Sequence, residues 1–564
     1  MLLVALIPVA CVPSAPRPGG AGTAKLTGAA QPRSLSIVLR VEPTDLTSAA
    51  ATYNRITLAL FGTGYRAGLT ASDRYEAPYP LLAESLPQLD TPTWRVFPDG
   101  RMETIHRLRT GLVWHDGTPL TAEDFVFTGR AILAQMEWGL VAPSVEMQQI
   151  DEILAPDPLT VFIRWRRSYA DAATPELTPY ARHILGPALD QRQPESFSSH
   201  PYWTTEYVGL GPYRLTRWER GAYIEGTAFA GYALGPPKIE GVRVTWSGDP
   251  NSTVTRLLAG DAHVALDSAI QYQQAATVRR AWAAQNGGVV LLVPRNLRWL
   301  QVQHRPDYVD PRALLDVRVR KAMIYALDRQ ALADAMLGGE GPVADTMGPP
   351  TLSFYEDVVR ATVKYPYDPS RSEGLMAEVG FARDASGFYM SPSEGRFSPE
   401  VFGLAEGDEA QETTIVADYL RRAGMETKLR LVPALQVGQS DEMKATFPAL
   451  RTNYTGGSAH LGQPFLVSSR IASPENRWRA TNRIGWSNPE HDRLFEAWNA
   501  ALDRTERNQL MVQMLKLVNE ELPGIPMYFD FDVIAHAAAL RGPEPIAPSS
   551  AAYGNIHQWE WQTL

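Results

Sequence analysis

The sequence predicts an α/β protein built of more than one lobe, and three observations carry that expectation. The chain has 564 residues, whereas single hydrophobic cores stop growing at about 250–300 residues. Its composition, 45% hydrophobic and 20% charged, is that of a globular chain and not of a disordered one. Helix patterns followed by strand patterns recur along it, the order that builds layered α/β folds.

The N-terminus is not part of that pattern. Met1 to Ala10 is almost wholly apolar, far short of the ~20 residues that span a bilayer, and resembles the hydrophobic region of a secretory signal. Ala10-Cys11 resembles the end of a bacterial lipoprotein signal, where the cysteine is lipidated and becomes the mature terminus. Two features depart from that pattern: no Lys or Arg precedes the apolar stretch, and Pro8 stands where leucine is usual. Residues 12–33 carry Pro13, Pro16, Pro18, Pro32, Gly19, Gly20, Gly22 and Gly28. They read as a tether that cannot offset its chain entropy by packing.

Order is expected from Leu35. Leu35–Val41 reads as a strand, followed by the apolar run Arg55–Phe61. Ser252–Ala259 reads as a helix stopped by Gly260, with the short apolar run His263–Leu266 after it. Asp316 is placed to cap a helix carrying Val319, Met323 and Leu327, and Asp328 to cap the next, ending at Gly338-Gly339. Thr413–Ala423 reads as a helix with Gly424 as its stop, and Met425–Leu431 alternates like a half-buried strand. Asp503 with Glu506 opens a helix bearing Leu510, Met514 and Val518 until Pro523-Gly524.

Composition and motifs exclude several functions. A formal net charge of −9 argues against nucleic acid, whose binders present basic faces. The single cysteine, Cys11, excludes an internal disulfide and a multi-cysteine zinc site. The chain contains no HExxH, CxxC, GxSxG or GxxxxGK[ST]. Gly62-Thr63-Gly64-Tyr65-Arg66-Ala67 fits a loose dinucleotide fingerprint after a strand, but Gly68–Asp73 behind it reads as loop and not as the helix that would hold pyrophosphate. The 10 histidines are scattered with no close pair at helical ligand spacing, so no metal site is expected. No cofactor and no catalytic residue is expected; the chain reads as a binder and not an enzyme.

From Leu82 onward the residues resemble a known family. Leu82-Ala83-Glu84-Ser85, then Arg107-Leu108-Arg109-Thr110-Gly111-Leu112-Val113-Trp114-His115-Asp116-Gly117-Thr118-Pro119-Leu120-Thr121-Ala122-Glu123-Asp124-Phe125, resemble the signature of solute-binding protein family 5, the dipeptide-, oligopeptide- and nickel-binding proteins of ABC importers. In physical terms Asp116-Gly117 makes a turn and Thr121 with Asp124 caps a helix. Val208-Gly209-Leu210-Gly211-Pro212-Tyr213, Leu257–Asp261, Asp316–Ala322 with Ala326–Arg329, Tyr367-Asp368-Pro369, Ala423-Gly424-Met425, and Asn488–Asp492 through Pro523–Pro526 follow in the family's order.

The resemblance implies a periplasmic-binding-protein-like flytrap of the class II (cluster C) type: two α/β lobes closing over a solute, with a smaller third domain. It places residues 1–11 in the signal, 12–33 in the tether, 34–75, 203–288 and 533–564 in the first lobe, 76–202 in the small domain and 289–532 in the second lobe. Two crossing strands are expected near Val289–Val293 and Met527–Asp532. The implied function is solute capture for an ABC-type permease outside the cytoplasm, in the periplasm or on the outer face of the membrane. The chain is expected to act there as a lipid-anchored monomer, with a peptide as the leading solute. The alternatives are a non-peptide solute such as a sugar, opine, organic acid or metal chelate, or a sensory flytrap that transports nothing.

One departure bears on the solute. Peptide-binding members carry an aspartate for the ligand's ammonium in a segment that matches Leu450–His460 here, and this stretch has no Asp or Glu. A buried ammonium without a counter-charge is costly. Arg451 suggests instead a site for a carboxylate or another anionic group, with Asn453, Tyr454, Gly456 and Gly457 lining the site, while Glu42 is the candidate replacement for the missing acid.

Overall fold

The computed structural model describes residues 34–46, 55–63, 68–74, 77–141, 145–456, 463–545 and 553–562. Residues 33–564 form one compact unit. Cys11, the tether, Gly64–Ala67 and Gly457 lie outside the described residues.

In chain order the elements that position the site are β1 (Ser34–Leu39), α1 (Arg55–Phe61), β2 (Trp94–Val96), β3 (Met102–Arg107), α2 (Ala122–Glu137), β4 (Ile150–Asp157), β5 (Thr160–Trp165), β6 (Tyr213–Glu219), β7 (Tyr223–Ala228) and β8 (Gly241–Trp246). They continue with α3 (Pro250–Ala259), β9 (Val264–Ala265), α4 (Tyr272–Ala283), β10 (Gly288–Val302), α5 (Val317–Ala326), α6 (Arg329–Leu337), β11 (Glu400–Leu404), α7 (Gly407–Arg422), β12 (Lys428–Val432), β13 (Leu450–Gly456), α8 (Pro489–Ala500), α9 (Arg504–Glu521) and β14 (Gly524–Ala537).

One ten-stranded sheet runs through both lobes in the order β12-β11-β13-β10-β14-β9-β1-β8-β7-β6. Its centre is the long antiparallel pair β10 and β14, registered from Gly288↔Ala537 to Gln301↔Gly524. β9 joins β14 near its end, at Val264↔His536, and β1 joins β9 and β8 in parallel. β13 joins β10 at the opposite end, from Asn296↔Gly456 to Val302↔Leu450. The pair therefore passes from one lobe into the other, and its register breaks at the crossing, between Pro294 and Asn296. Such breaks bend and twist a strand.

Side-chain alternation distributes the core. In β1, Leu35, Ile37 and Leu39 enter one core cluster, while Val38 turns to another with Trp282 and Val533. In the second lobe Leu300 and Val401 face one cluster, and Trp299 and Phe402 face another with Trp498 and Met514. The sheet is thus buried on both faces around β1 in the first lobe and at β10 and β11 in the second. The four-stranded sheet β2-β3-β5-β4 sends Trp94, Met102, Ile163 and Trp165 into the first lobe's own cluster.

The capping residues act as expected. Asp316 accepts from the Arg318 N–H, Asp328 from Ala331, and Asp503 from Glu506, while Thr121 and Asp124 close a reciprocal capping box on α2. Three expectations are corrected. Arg55–Phe61 is a helix with every residue buried, so the glycine pattern after it follows no strand and the dinucleotide reading loses its context; a short apolar run does not distinguish helix from strand. The helix expected at Thr413 starts at Gly407, because its first turn is polar and carries no apolar spacing. β12 is a sheet-edge strand whose first four residues are exposed, so its alternation does not mark half-burial.

Candidate functional site

Two buried charge networks flank the crossing of β10 and β14. On the first-lobe side, Arg55 at the start of α1 sets Nη2 2.8 Å from Asp532 and 3.1 Å from Asp267. Arg295, the residue at the register break, reaches Asp532 at 2.9 Å, and the Tyr553 hydroxyl donates to Asp267 at 3.2 Å. Burial works to discharge Arg55, and the two carboxylates more than offset it, so its pKa rises and it stays charged.

On the second-lobe side, Arg298 donates to Glu412 through Nε at 2.8 Å and Nη2 at 2.6 Å. The Tyr528 hydroxyl also donates to Glu412. Glu409 lies 3.6 Å from Arg298. Here the acids outnumber the base. Asp530, half-buried on β14, is pushed up to about 6 by burial first; Arg298 and the Phe531 N–H oppose this, and Glu412 and Asp408 add to it. Asp408 and Glu409, in the first turn of α7, are both raised by burial and by Glu412 and both drawn back by Arg298, and Glu409 is drawn back by Arg451 as well. Asp408 also feels Arg40, which follows β1 in the first lobe. A group of carboxylates with too little positive charge around it thus faces the other lobe at the crossing. Such a site lowers its free energy by taking up a cation.

The residues singled out from the sequence are placed as follows. Glu42 is half-buried in the first lobe and already engaged: it accepts from Trp218 Nε1 at 2.9 Å and the Gly221 N–H at 3.0 Å, with Arg220 at 3.7 Å. Arg451 is buried, donates to the Lys444 carbonyl at 3.1 Å and lies over the Phe402 ring; burial lowers its pKa to about 10. Asn453 accepts the neighbouring Tyr454 N–H. Tyr454 is exposed and sits beside Arg298, and Gly456 pairs with Asn296 at the break in register. Tyr454 and Gly456 are therefore close to the crossing, Arg451 lies close enough to Glu409 to draw its pKa down, and Glu42 is bonded elsewhere. Asp530, Asp408, Glu409 and Arg298 were not singled out. The one signal available was the acid in the alternation Phe529-Asp530-Phe531-Asp532 within an otherwise apolar strand.

Residues 77–469 match the model of the bacterial extracellular solute-binding proteins, family 5 Middle. The chain is 23% identical over 485 residues to the oligopeptide-binding protein AppA of Bacillus subtilis (strain 168), covering 85% of this chain and 82% of that one. It is 25% identical over 461 residues to the glutathione-binding protein GsiB of Escherichia coli O1:K1, covering 80% and 82%. The oligopeptide-binding protein from Thermus thermophilus, solved with a pentapeptide, superimposes with a TM-score of 0.75 at 20% identity, covering 94% of this chain and 96% of that one. That last likeness concerns the fold alone: a two-lobed periplasmic-binding-protein fold around a large mixed sheet. With its family model matched over most of its length and its charged cleft at the strand crossing between the lobes, the chain belongs to family 5 of the bacterial extracellular solute-binding proteins.

Proposed function

We propose that this protein captures a peptide between its lobes and holds the ligand's ammonium at Asp530 and Asp408. The observation that carries this is the carboxylate group at the strand crossing, whose members stay raised by burial although Arg298, Arg451 and, from the other lobe, Arg40 partly offset them, with Asp530 half-buried. The relatives' names, oligopeptide- and glutathione-binding, agree with a ligand that carries an amine. Tyr454 and Gly456 line the rim of the same cleft. The protein acts as a carrier without catalysis: solute binding shifts the open–closed equilibrium, and an ABC permease reads the closed form.

The test is calorimetric titration of purified protein with an equimolar tetrapeptide library, free or N-acetylated. Acetylation and Asp530→Asn should each weaken binding by about 1.5–3 kcal/mol, the worth of a charged hydrogen bond. Binding should also weaken as pH falls through about 6, where Asp530 takes up its proton. Equal affinity for the acetylated library would overturn the ammonium reading. The same group gives a stability signature. Its folded pKa of about 6 exceeds the ordinary 3.8, so the folded state binds that proton more tightly than the unfolded chain, and ionisation costs stability as pH rises between those values. Asp530→Asn should therefore stabilise the unliganded protein at pH 7.5 by about 1–3 kcal/mol, at 1.36 kcal/mol per pKa unit, and leave it unchanged at pH 3.5.

Members of the family work outside the cytoplasm, and among the described residues no helix is long and apolar enough to cross a membrane. We propose that Cys11 is lipidated and holds the protein at the membrane surface through the tether of residues 12–33, on the strength of the apolar leader and the proline- and glycine-rich spacer. Cys11→Ser should move the protein from the membrane to the soluble fraction on cell fractionation. Retention of the variant in the membrane fraction would exclude the anchor.

A further inference from the structure

The two lobes also meet outside the crossing strands. The segment after β5 is rooted in the first lobe's core by Tyr169 and Ala172. The corner between α8 and α9 is rooted in a second-lobe core by Trp498, Met511 and Met514. Between them Arg507 sets its two Nη atoms on the two carboxylate oxygens of Asp171, at 2.6 Å each, with its guanidinium carbon 4.1 Å from the Trp498 ring centroid. Arg167 lies 2.9 Å from Glu496, and the Ala170 N–H donates to the Asn499 carbonyl at 2.7 Å.

This contact is more specific than an ordinary surface ion pair. A bidentate guanidinium–carboxylate pair is fixed in direction as well as distance, and the tryptophan face holds the guanidinium plane in place. Arg507 is 18% exposed and Asp171 38%, so solvent screens the pair only partly. The residues belong to bodies with different main cores, joined elsewhere by β10 and β14, and at this corner Leu502 also packs against the first lobe's cluster. Any motion that lifts the α8–α9 corner off the segment after β5 must break this pair.

We propose that Asp171–Arg507, with Arg167–Glu496 beside it, is a clasp that favours the closed arrangement of the lobes whatever solute lies between them. The proposal rests on the reading that solute binds between the lobes. It adds that part of the closing free energy comes from residues that touch no ligand. A clasp of this kind raises the binding-competent fraction and so the apparent affinity for every solute alike.

Single-molecule energy transfer on the full chain tests this, with Cys11→Ser and dyes on Leu133→Cys in α2 and Leu435→Cys after β12, both exposed positions, at 54% and 73%. Without ligand, Arg507→Ala and Asp171→Ala should each reduce the short-distance population about threefold, Arg507→Lys should reduce it less, and the charge-swapped pair Asp171→Arg/Arg507→Asp should recover part of the loss. Raised salt should move the wild type toward the single variants. Arg507→Lys keeps the charge and stem, so it reports even if the alanine variants fold poorly. An unchanged distance distribution in folded variants would overturn the clasp. Adding the tetrapeptide library to the wild type separates the two ideas: no shift toward short distance would strike the peptide reading, while the ligand-free variants still decide the clasp.

Discussion

Gly211→Ala should cost about 4 kcal/mol or more of stability and lower the first melting transition by about 10 °C or more. A Cβ at Gly211 would lie 2.5 Å from the carbonyl oxygens of both Leu60 and Gly62 and 2.6 Å from the Phe61 carbonyl carbon. All three are backbone atoms at the end of α1, so no side chain can swing aside to make room. Relief requires α1 to move, and α1 is buried along its whole length. The Phe61 ring is pinned on its far side by Gly226 of β7, where an added Cβ would sit 2.5 Å from it. A Cβ at Gly209 would be blocked in the same way, 2.1 Å from the Phe61 carbonyl oxygen. The family-like motif Gly209-Leu210-Gly211-Pro212-Tyr213 is thus a packing device: two glycines let the chain pass directly against a helix end before β6 begins. Gly186→Ala, in a helix with nothing within 4 Å of the added Cβ, is the control and should change the melting temperature little. Similar melting of both variants would mean that α1 yields where its burial says it should not.

The contrast between these glycines shows what was legible in the sequence. Caps were legible because a cap bonds within three residues of itself: Asp316, Asp328 and Asp503 each start the helix they were expected to start. The family's motifs located the long crossing strands without any knowledge of what they pack against. Elements whose state depends on the rest of the fold were harder. Arg55–Phe61 is helical because it is enclosed on all sides and must satisfy its own backbone, which its composition does not reveal. Site residues suffered most. Glu42 looked free to meet a ligand, yet its partner Trp218 lies 176 residues away. Arg451 is read from the sequence as an anion holder, and the anion the fold sets near it is the chain's own Glu409. Asp530 becomes informative only when β14 brings it to the start of α7, a meeting that topology creates.

Glu412→Ala should cost about 3–5 kcal/mol, the usual result of removing one partner of a buried ion pair. Glu412 is fully buried and Arg298 is 8% exposed. Burial acts to strip the Arg298 proton, and Glu412 is the first charge that opposes it, holding the pKa well above the ordinary value. Without Glu412 the nearest described ion-pair partner left is Glu409 at 3.6 Å, and the Tyr528 hydroxyl loses its acceptor. Glu412→Gln keeps the shape and one acceptor and should cost less, about 1–3 kcal/mol. The double variant Arg298→Leu/Glu412→Leu removes both charges at once and should be more stable than Glu412→Ala, because desolvation of the pair consumes most of its attraction. The double variant also removes the positive charge that offsets Asp530. Loss of Glu412 works the other way, but Arg298 is the larger influence, so Asp530 should still titrate above the wild type's value of about 6. Chemical denaturation of the three variants separates these terms. If Glu412→Ala loses less than about 1 kcal/mol, the counter-charge of Arg298 is shared with Glu409 and Asp530, and the cleft carries less free negative charge than its carboxylates suggest.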